Sequence, residues 1–320
     1  MKTSTSEKLT HDHRRVYTVG GGKGGTGKSF TTANLGTILA QQGNKVLLVD
    51  LDLGASNLHT FLALGKPQIT LKQYWKKEVN DINDVVLETT QPNLSIISSS
   101  GCSLEIANLY YAQKLKLIRA INKLSYDYIF IDLGSGTHFN TLDFYLISNH
   151  GILVTTPEPV SIENMFRFIK SIYLRKLKVV FKDHGLNIIC REYLNNAKES
   201  HIASFSDIMQ FVRQYDDAND TRIENHIKDE TIGLILNQFR WQVDREFGQK
   251  ITRICNKHLY FNYYFLGTIS SDNKITDATM NNRVFVKEYS YAKTATEIYN
   301  IAREIIEESS AQTLPLPLVS

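Results

Sequence analysis

The chain has 320 residues, 42% of them hydrophobic and 22% charged, which is enough apolar material for a large buried core. Its 36 basic and 33 acidic residues leave a net charge of only +3. That excludes a bulk electrostatic attraction to nucleic acid or anionic lipid, so any such contact needs a local patch. Cys102, Cys190 and Cys255 are far apart and form no CxxC pair, which argues against a zinc site or a disulfide framework and fits a reducing compartment.

Met1 to Arg15 is polar with no apolar signal core, and no stretch reaches the roughly 18 apolar residues needed to span a bilayer. The expectation is a cytoplasmic protein with a flexible segment at 1–15, one domain from 16 to 309 and a flexible tail at 310–320. Val16 to Val19 predicts a short strand that runs into glycines, and Phe30 to Gln42 repeats apolar residues at helical spacing through Ala33, Leu35, Ile38 and Leu39. Gly43-Asn44 ends that helix, and Lys45 to Val49 predicts a fully buried strand stopping at Asp50. Further strands are predicted at Leu94 to Ile97, Tyr128 to Ile131, Gly151 to Thr155, Ile232 to Leu236 and Phe265 to Ile269, with helix-period segments between most of them. Buried strands alternating with helices predict a doubly wound, mostly parallel α/β sheet. From about Val179 to Glu230 no strong strand pattern occurs, while Ile208, Phe211, Val212 and Tyr215 recur at helical spacing, which predicts a helical insertion. The prolines of Leu314-Pro315-Leu316-Pro317 cannot continue a helix.

Gly22-Lys23-Gly24-Gly25-Thr26-Gly27-Lys28-Ser29 carries the chemistry. Small residues let successive backbone N–H groups point at a phosphate while the following helix adds its N-terminal dipole. In GxxxxGKS the lysine, Lys28, reaches the β- and γ-phosphates and the Ser29 hydroxyl ligates Mg²⁺, with Phe30 closing the cofactor-binding set. Tyr128 to Asp132 is an apolar strand ending in an acid, and Leu133-Gly134-Ser135-Gly136 follows as a glycine-rich loop.

The loop, followed by Thr32-Ala33-Asn34-Leu35 and by Val49-Asp50-Leu51-Asp52-Leu53-Gly54-Ala55-Ser56-Asn57-Leu58, resembles the MinD/ParA family of deviant Walker A ATPases, with a P-loop NTPase fold of the SIMIBI type. The resemblance implies slow, partner-stimulated ATP hydrolysis with ATP and Mg²⁺ as cofactors, and an ATP-bound homodimer. It implies that Lys23, the second lysine of the loop, contacts the nucleotide of the partner subunit. It makes Lys23, Lys28 and Asp52 the catalytic set, Asp52 positioning the attacking water. Ser29, Asp52 and Asp132 form the metal set, Asp50 supports the Mg²⁺ shell, Asn57 is a weaker match, and Asn237 reads the adenine edge by its amide. The loop after Asp132 has glycine and serine where many members have proline and alanine, and Ile269-Ser270-Ser271-Asp272 lacks the usual proline of the base-side loop.

Asp132 to Asn140, Asp143-Phe144 and Pro157-Glu158-Pro159-Val160-Ser161-Ile162-Glu163-Asn164 are similar to the FlhG/FleN subgroup, regulators of flagellar number. Met1 to Arg15 lacks the Asp-Gln-Ala run with which that subgroup activates a partner GTPase. The functional expectation is an ATP-dependent dimerisation switch with a protein regulatory partner, acting in spatial or numerical regulation of a cellular structure. The alternatives are a ParA-like DNA or cargo-partitioning ATPase and a metallocluster-assembly ATPase. The last needs a cysteine pair, and none is visible.

Two segments bear on a peripheral place at membrane or nucleoid. In the last helix Ala295, Ile298, Tyr299, Ala302, Ile305 and Ile306 form an apolar face, but Glu297, Glu304, Glu307 and Glu308 oppose a single Arg303, which predicts packing on the sheet rather than on anionic lipid. Arg167, Lys170, Arg175, Lys176, Lys178 and Lys182 cluster around one predicted helix and read as a solvated face ahead of a DNA or lipid site.

Overall fold

The computed structural model describes residues 14–102, 111–183, 230–259 and 261–311. In chain order the elements are β1 (Arg15–Gly20), α1 (Lys28–Gln41), β2 (Val46–Leu51), α2 (Leu58–Phe61), α3 (Leu71–Trp75), a 3-10 turn (Ile82–Val85), β3 (Leu87–Glu88), β4 (Leu94–Ile97) and α4 (Tyr111–Ile121). There follow β5 (Tyr128–Leu133), α5 (Phe139–Tyr145), β6 (His150–Thr155), α6 (Pro159–Asp183), β7 (Thr231–Phe239), α7 (Phe247–His258), β8 (Asn262–Ser270), α8 (Asn273–Met280), α9 (Phe285–Glu288) and α10 (Lys293–Ala311).

The strands form one eight-stranded sheet in the order β3-β4-β2-β5-β1-β6-β7-β8, parallel except for the β3/β4 pair. Every strand predicted from the sequence is present, which gives the doubly wound sheet expected. The two-residue β3 was missed because it is too short to show a period. Side chains alternate between two cores: Leu47, Val49, Ile129 and Ile131 pack on one face, Val46, Leu48, Tyr128 and Phe130 on the other.

Helix α1 is buried on nearly all sides, so it shows no one-sided apolar stripe. Its buried polar groups are satisfied within reach of the helix: Thr32 Oγ1 donates to Lys28 O at 3.0 Å and Thr37 Oγ1 to Ala33 O at 2.8 Å. Asn34 Nδ2 donates to Phe30 O at 2.8 Å, while its Oδ1 accepts from Val286 N at 3.1 Å and so ties α1 to α9.

The predicted insertion lies for the most part outside the described residues; its first part, to Asp183, continues α6. Residues 1–13 and 312–320 also lie outside them. Among the described residues no helix is long and apolar enough to cross a membrane.

Candidate nucleotide site

The chain leaves β1 toward β2 on one side of the sheet, and β6 lies on the other side, so the strand order switches direction at β1. Ligands of doubly wound sheets sit at the carboxyl ends of strands beside such a switch. Three strands deliver the candidate residues there. The loop 21–27 follows β1, Asp52 follows β2, and Asp132 sits near the end of β5, in register with Asp50 on β2 and with Val19 on β1.

The loop needs its glycines for stated reasons. Gly25 and Gly27 have φ of +78° and +89°, and Gly27 is the residue that turns the chain into α1. A Cβ on Gly22 would lie 2.0 Å from the carbonyl oxygen of Asn164, so α6 is pressed against the loop backbone. Gly136, at φ +90°, donates its N–H to Gly21 O at 3.3 Å and closes the β5 loop over the same turn.

Gly24, Gly25, Gly27, Lys28 and Ser29 line a cavity of about 490 Å³ together with Asp52, Asn57, Ser135, Phe30, Phe61 and Thr279. That volume is in the range of small-molecule sites. The ammonium of Lys28 is buried. Burial lowers its pKa, and the nearby Asp132 and Asp52 oppose that shift.

Asp132 is fully buried with no hydrogen-bond partner on either carboxylate oxygen. Burial first, and then Asp50, raise its pKa, while Ser29, facing it outside hydrogen-bond geometry, and Lys28 pull the other way. A buried carboxylate with two orphaned oxygens beside a serine hydroxyl is a hard-oxygen donor set that fits Mg²⁺ once phosphate oxygens complete it.

Asp50, expected to support a Mg²⁺ shell, has both carboxylate oxygens engaged by the chain that follows it. Its Oδ1 accepts from Asp52 N at 3.0 Å, and its Oδ2 accepts from Ser56 Oγ at 2.6 Å and Leu58 N at 3.1 Å. Both oxygens are therefore used to fold residues 52–58 into a tight loop ending in α2. Burial raises this group's pKa, and the three donors oppose that rise. Asp52 is left facing the cavity, its Oδ1 accepting from Ala55 N at 3.2 Å.

Asn237 makes a contact that the sequence did not foretell. Its Nδ2 donates to Thr26 O at 2.8 Å and its neighbour Gln238 donates Nε2 to Gly25 O at 2.9 Å, so the end of β7 braces the phosphate loop from behind. Asn237 Oδ1 is buried without a partner, and the side chain is not part of the cavity wall. Phe61 and Thr279 were not found from the sequence, whereas Ser135 was read there as part of the glycine-rich loop after Asp132 and Gln238 was given no role of its own. Gln238 was signalled by adjacency to Asn237, whereas Thr279, more than 200 residues from the loop, carries no local signal.

Lys23 is not part of its own cavity. It is 42% exposed and lies 3.7 Å from Glu158, itself 60% exposed. Thus Lys28, Ser29, Asp52 and Asp132 are brought together, and Lys23 stands apart on the rim.

A family model for the CobQ/CobB/MinD/ParA nucleotide binding domain matches residues 17–285. The chain belongs to this family. Septum site-determining protein MinD of Helicobacter pylori is 31% identical over 155 residues, 48% of this chain and 57% of that protein. Antiactivator FleN of Pseudomonas aeruginosa is 29% identical over 174 residues, 54% and 58% of the two chains. The chain thus spans about half the length of the curated relatives it matches. The fold is shared with septum site-determining protein MinD from Pyrococcus horikoshii, solved as a complex with Mg-ADP, at a TM-score of 0.63 and 22% identity over 94% of this chain and all of that one.

Two other surfaces of this MinD/ParA-family chain differ in outcome from their sequence reading. In α10, Ala295, Ile298, Ile301, Ala302 and Ile305 are buried on the sheet, as expected, but Tyr299 is 48% exposed and Glu297 is turned inward, accepting from Ser270 N and Oγ at 2.7 Å each. In α6 the basic cluster is largely paired: Arg167 with Glu163, Arg175 with Asp143, and Lys176 with Glu230, each at 2.6 Å. Asp143 also holds the buried Lys114 at 2.6 Å, and Arg175 lies over the Phe139 ring at 5.4 Å. Arg175 and Lys176 thus join helices and sheet rather than forming a free basic face. Lys178 is exposed, and the side chain of Lys182 lies outside the described residues.

Proposed function

We propose that this chain is an ATP hydrolase that uses ATP to close a homodimer and so switches a regulatory partner on or off. The observation that carries this reading is the separation of the two lysines. Lys28 is buried at the cavity, near enough to Asp132 and Asp52 for both carboxylates to favour its charged form, whereas Lys23 is 42% exposed and does not line its own cavity. A lysine so placed is available to a nucleotide held by a second copy.

In this proposal the backbone N–H groups of Gly24 to Ser29 and the amino end of α1 hold the phosphates, and Lys28 binds the β- and γ-phosphate oxygens. Ser29 and Asp132 would hold Mg²⁺, which would neutralise charge on the phosphates. Asp52, on the loop that Asp50 organises, orients the attacking water, and Ser135 and Gly136 close over the γ-phosphate side. Asn237, which reads the adenine edge in the resemblance, retains a buried, unpartnered Oδ1 that could accept from an adenine amino group.

The likeness to an antiactivator and to septum-site proteins supports a role in spatial or numerical regulation, with flagella as one candidate structure, a protein regulatory partner, and the cytoplasm as the place of action. The test is Asp52→Ala and Lys23→Ala, followed by light scattering with ATP and Mg²⁺ and by phosphate release. The expected result is an ATP-trapped dimer without turnover for Asp52→Ala and a monomer for Lys23→Ala. A monomer in Asp52→Ala, or a normal dimer in Lys23→Ala, sinks the proposal.

A further inference from the structure

Helix α5 directly continues the loop that carries Ser135 and Gly136. Its 7 residues are too few to hold a helix by its own hydrogen bonds, so tertiary contacts decide where it sits. Apolar side chains supply most of the attachment. Leu142, Phe144 and Tyr145 are buried, the Tyr145 ring meets Phe168 of α6 edge-on with centroids 5.3 Å apart, and Tyr145 O accepts from Thr18 Oγ1 of β1 at 2.9 Å.

Asp143 adds a contact of another kind to that helix. Its Oδ2 accepts from Lys114 Nζ of α4 and its Oδ1 from Arg175 Nε of α6, each at 2.6 Å. Lys114 and Asp143 are only 6% and 10% exposed. The Arg175 guanidinium also lies over the ring of Phe139, one turn before Asp143 on the same face of α5. A buried ion cluster is a poor source of net stability, because desolvation offsets much of its attraction. What it supplies is direction: apolar packing tolerates a small slide or rotation, whereas two charge-assisted bonds from two different helices hold one register.

We propose that Asp143 is a positioning residue for ATP hydrolysis, a role that rests on the ATPase reading above: clamped by Lys114 and Arg175, it fixes the seat of α5 and so the place of Ser135 and Gly136 against the phosphate loop. Asp143 does not line the nucleotide cavity and acts through α5. The lever is short, since only Thr137 and His138 separate Gly136 from Phe139. Gly136 N donates to Gly21 O at 3.3 Å, Ser135 lines the cavity, and a Cβ on Gly134 would lie 3.1 Å from Asp52 Oδ1. A slide of α5 carries all three residues with it, and a misplacement of about 1 Å at a reacting centre costs on the order of a hundredfold in rate.

Helix α6 completes the frame. It presses on Gly22 through Asn164 O near its amino end and holds α5 through Arg175 farther along. The phosphate loop and the β5–α5 loop are thus both set from one continuous helix, and Asp143 is the acid through which the second of them is held.

The test exchanges the cluster without removing its volume. Asp143→Asn alone leaves the Lys114 ammonium buried beside no carboxylate, so a loss of fold would by itself explain a loss of turnover. Asp143→Leu combined with Lys114→Met puts apolar packing of similar size in place of the ion pair, an exchange that is generally neutral for stability. The expected double variant melts close to wild type and binds ATP within about threefold of wild type by calorimetry, while kcat for phosphate release is about tenfold or more lower. Amide exchange at Gly136 in the nucleotide-free chain should be faster than in wild type. A double variant with wild-type kcat overturns the proposal, as does a kcat that merely tracks melting temperature across the single and double variants. A wild-type chain that releases no phosphate refutes the ATPase reading instead. Exchange at Gly136, which needs no turnover, then decides the role of Asp143, and equal rates in wild type and double variant overturn it.

Discussion

Replacing Asp50 by alanine tests whether this carboxylate organises the loop or serves the metal. Asp50 is fully buried and accepts three hydrogen bonds, from Asp52 N, Ser56 Oγ and Leu58 N. Hydrogen bonds to a charged group contribute about 1.5–3 kcal/mol each, and several kcal/mol of carboxylate desolvation are offset against that sum. The net loss on truncation is on the order of 2–4 kcal/mol, and in a domain of this size the melting temperature should fall by roughly 4–10 °C. Because the loop carries Asp52, ATP turnover should fall with it, even though Asp50 does not line the cavity. Asp52→Ala, by contrast, should lose turnover while melting close to wild type.

The assay pairs thermal melting with phosphate release on both variants. Burial raises the pKa of Asp50, so the native state holds its proton more tightly than the unfolded state does. This group's own contribution to stability therefore improves as pH falls from above its raised folded value toward the ordinary carboxylate value, opposite to the usual paired aspartate. An Asp50→Ala protein that melts like wild type and has merely weakened Mg²⁺ affinity would refute the reasoning and return Asp50 to the metal shell.

Gly22→Ala should abolish nucleotide binding, because a Cβ 2.0 Å from Asn164 O forces α6 and the phosphate loop apart; unchanged ATP affinity by calorimetry would contradict this contact. Lys176→Ala should destabilise the chain by on the order of 3 kcal/mol in urea melts, since it breaks a 2.6 Å ion pair to the buried Glu230; a change under about 1 kcal/mol would show the pair to be solvated. Burial pushes the thiols of Cys102 and Cys255 up to about 12. With Cys190 replaced by serine, neither should react with a thiol reagent at about pH 8 until denaturant is added, because the reactive thiolate is scarce well below the pKa; rapid native labelling would show otherwise.

The phosphate loop, the buried strands and the acids at their ends were legible in the amino-acid order because their signals are local. A glycine-lysine-serine turn between strand and helix needs only adjacent residues, and a run such as Val46 to Leu51 records burial on both faces by its composition. What Asp50, Asn237, Arg175 and Lys176 do was not legible. All four are polar residues whose role depends on which distant or folded-back group supplies the partner. The sequence by itself determined the fold class and the phosphate-binding chemistry of this MinD/ParA-family chain. Only the tertiary structure decided that Asp50 clamps a loop, that Asn237 braces the phosphate turn, and that Arg175 and Lys176 are locked in ion pairs. Local periodicity encodes burial, whereas hydrogen-bond and ion-pair partners are chosen by the packing of segments far apart in the chain.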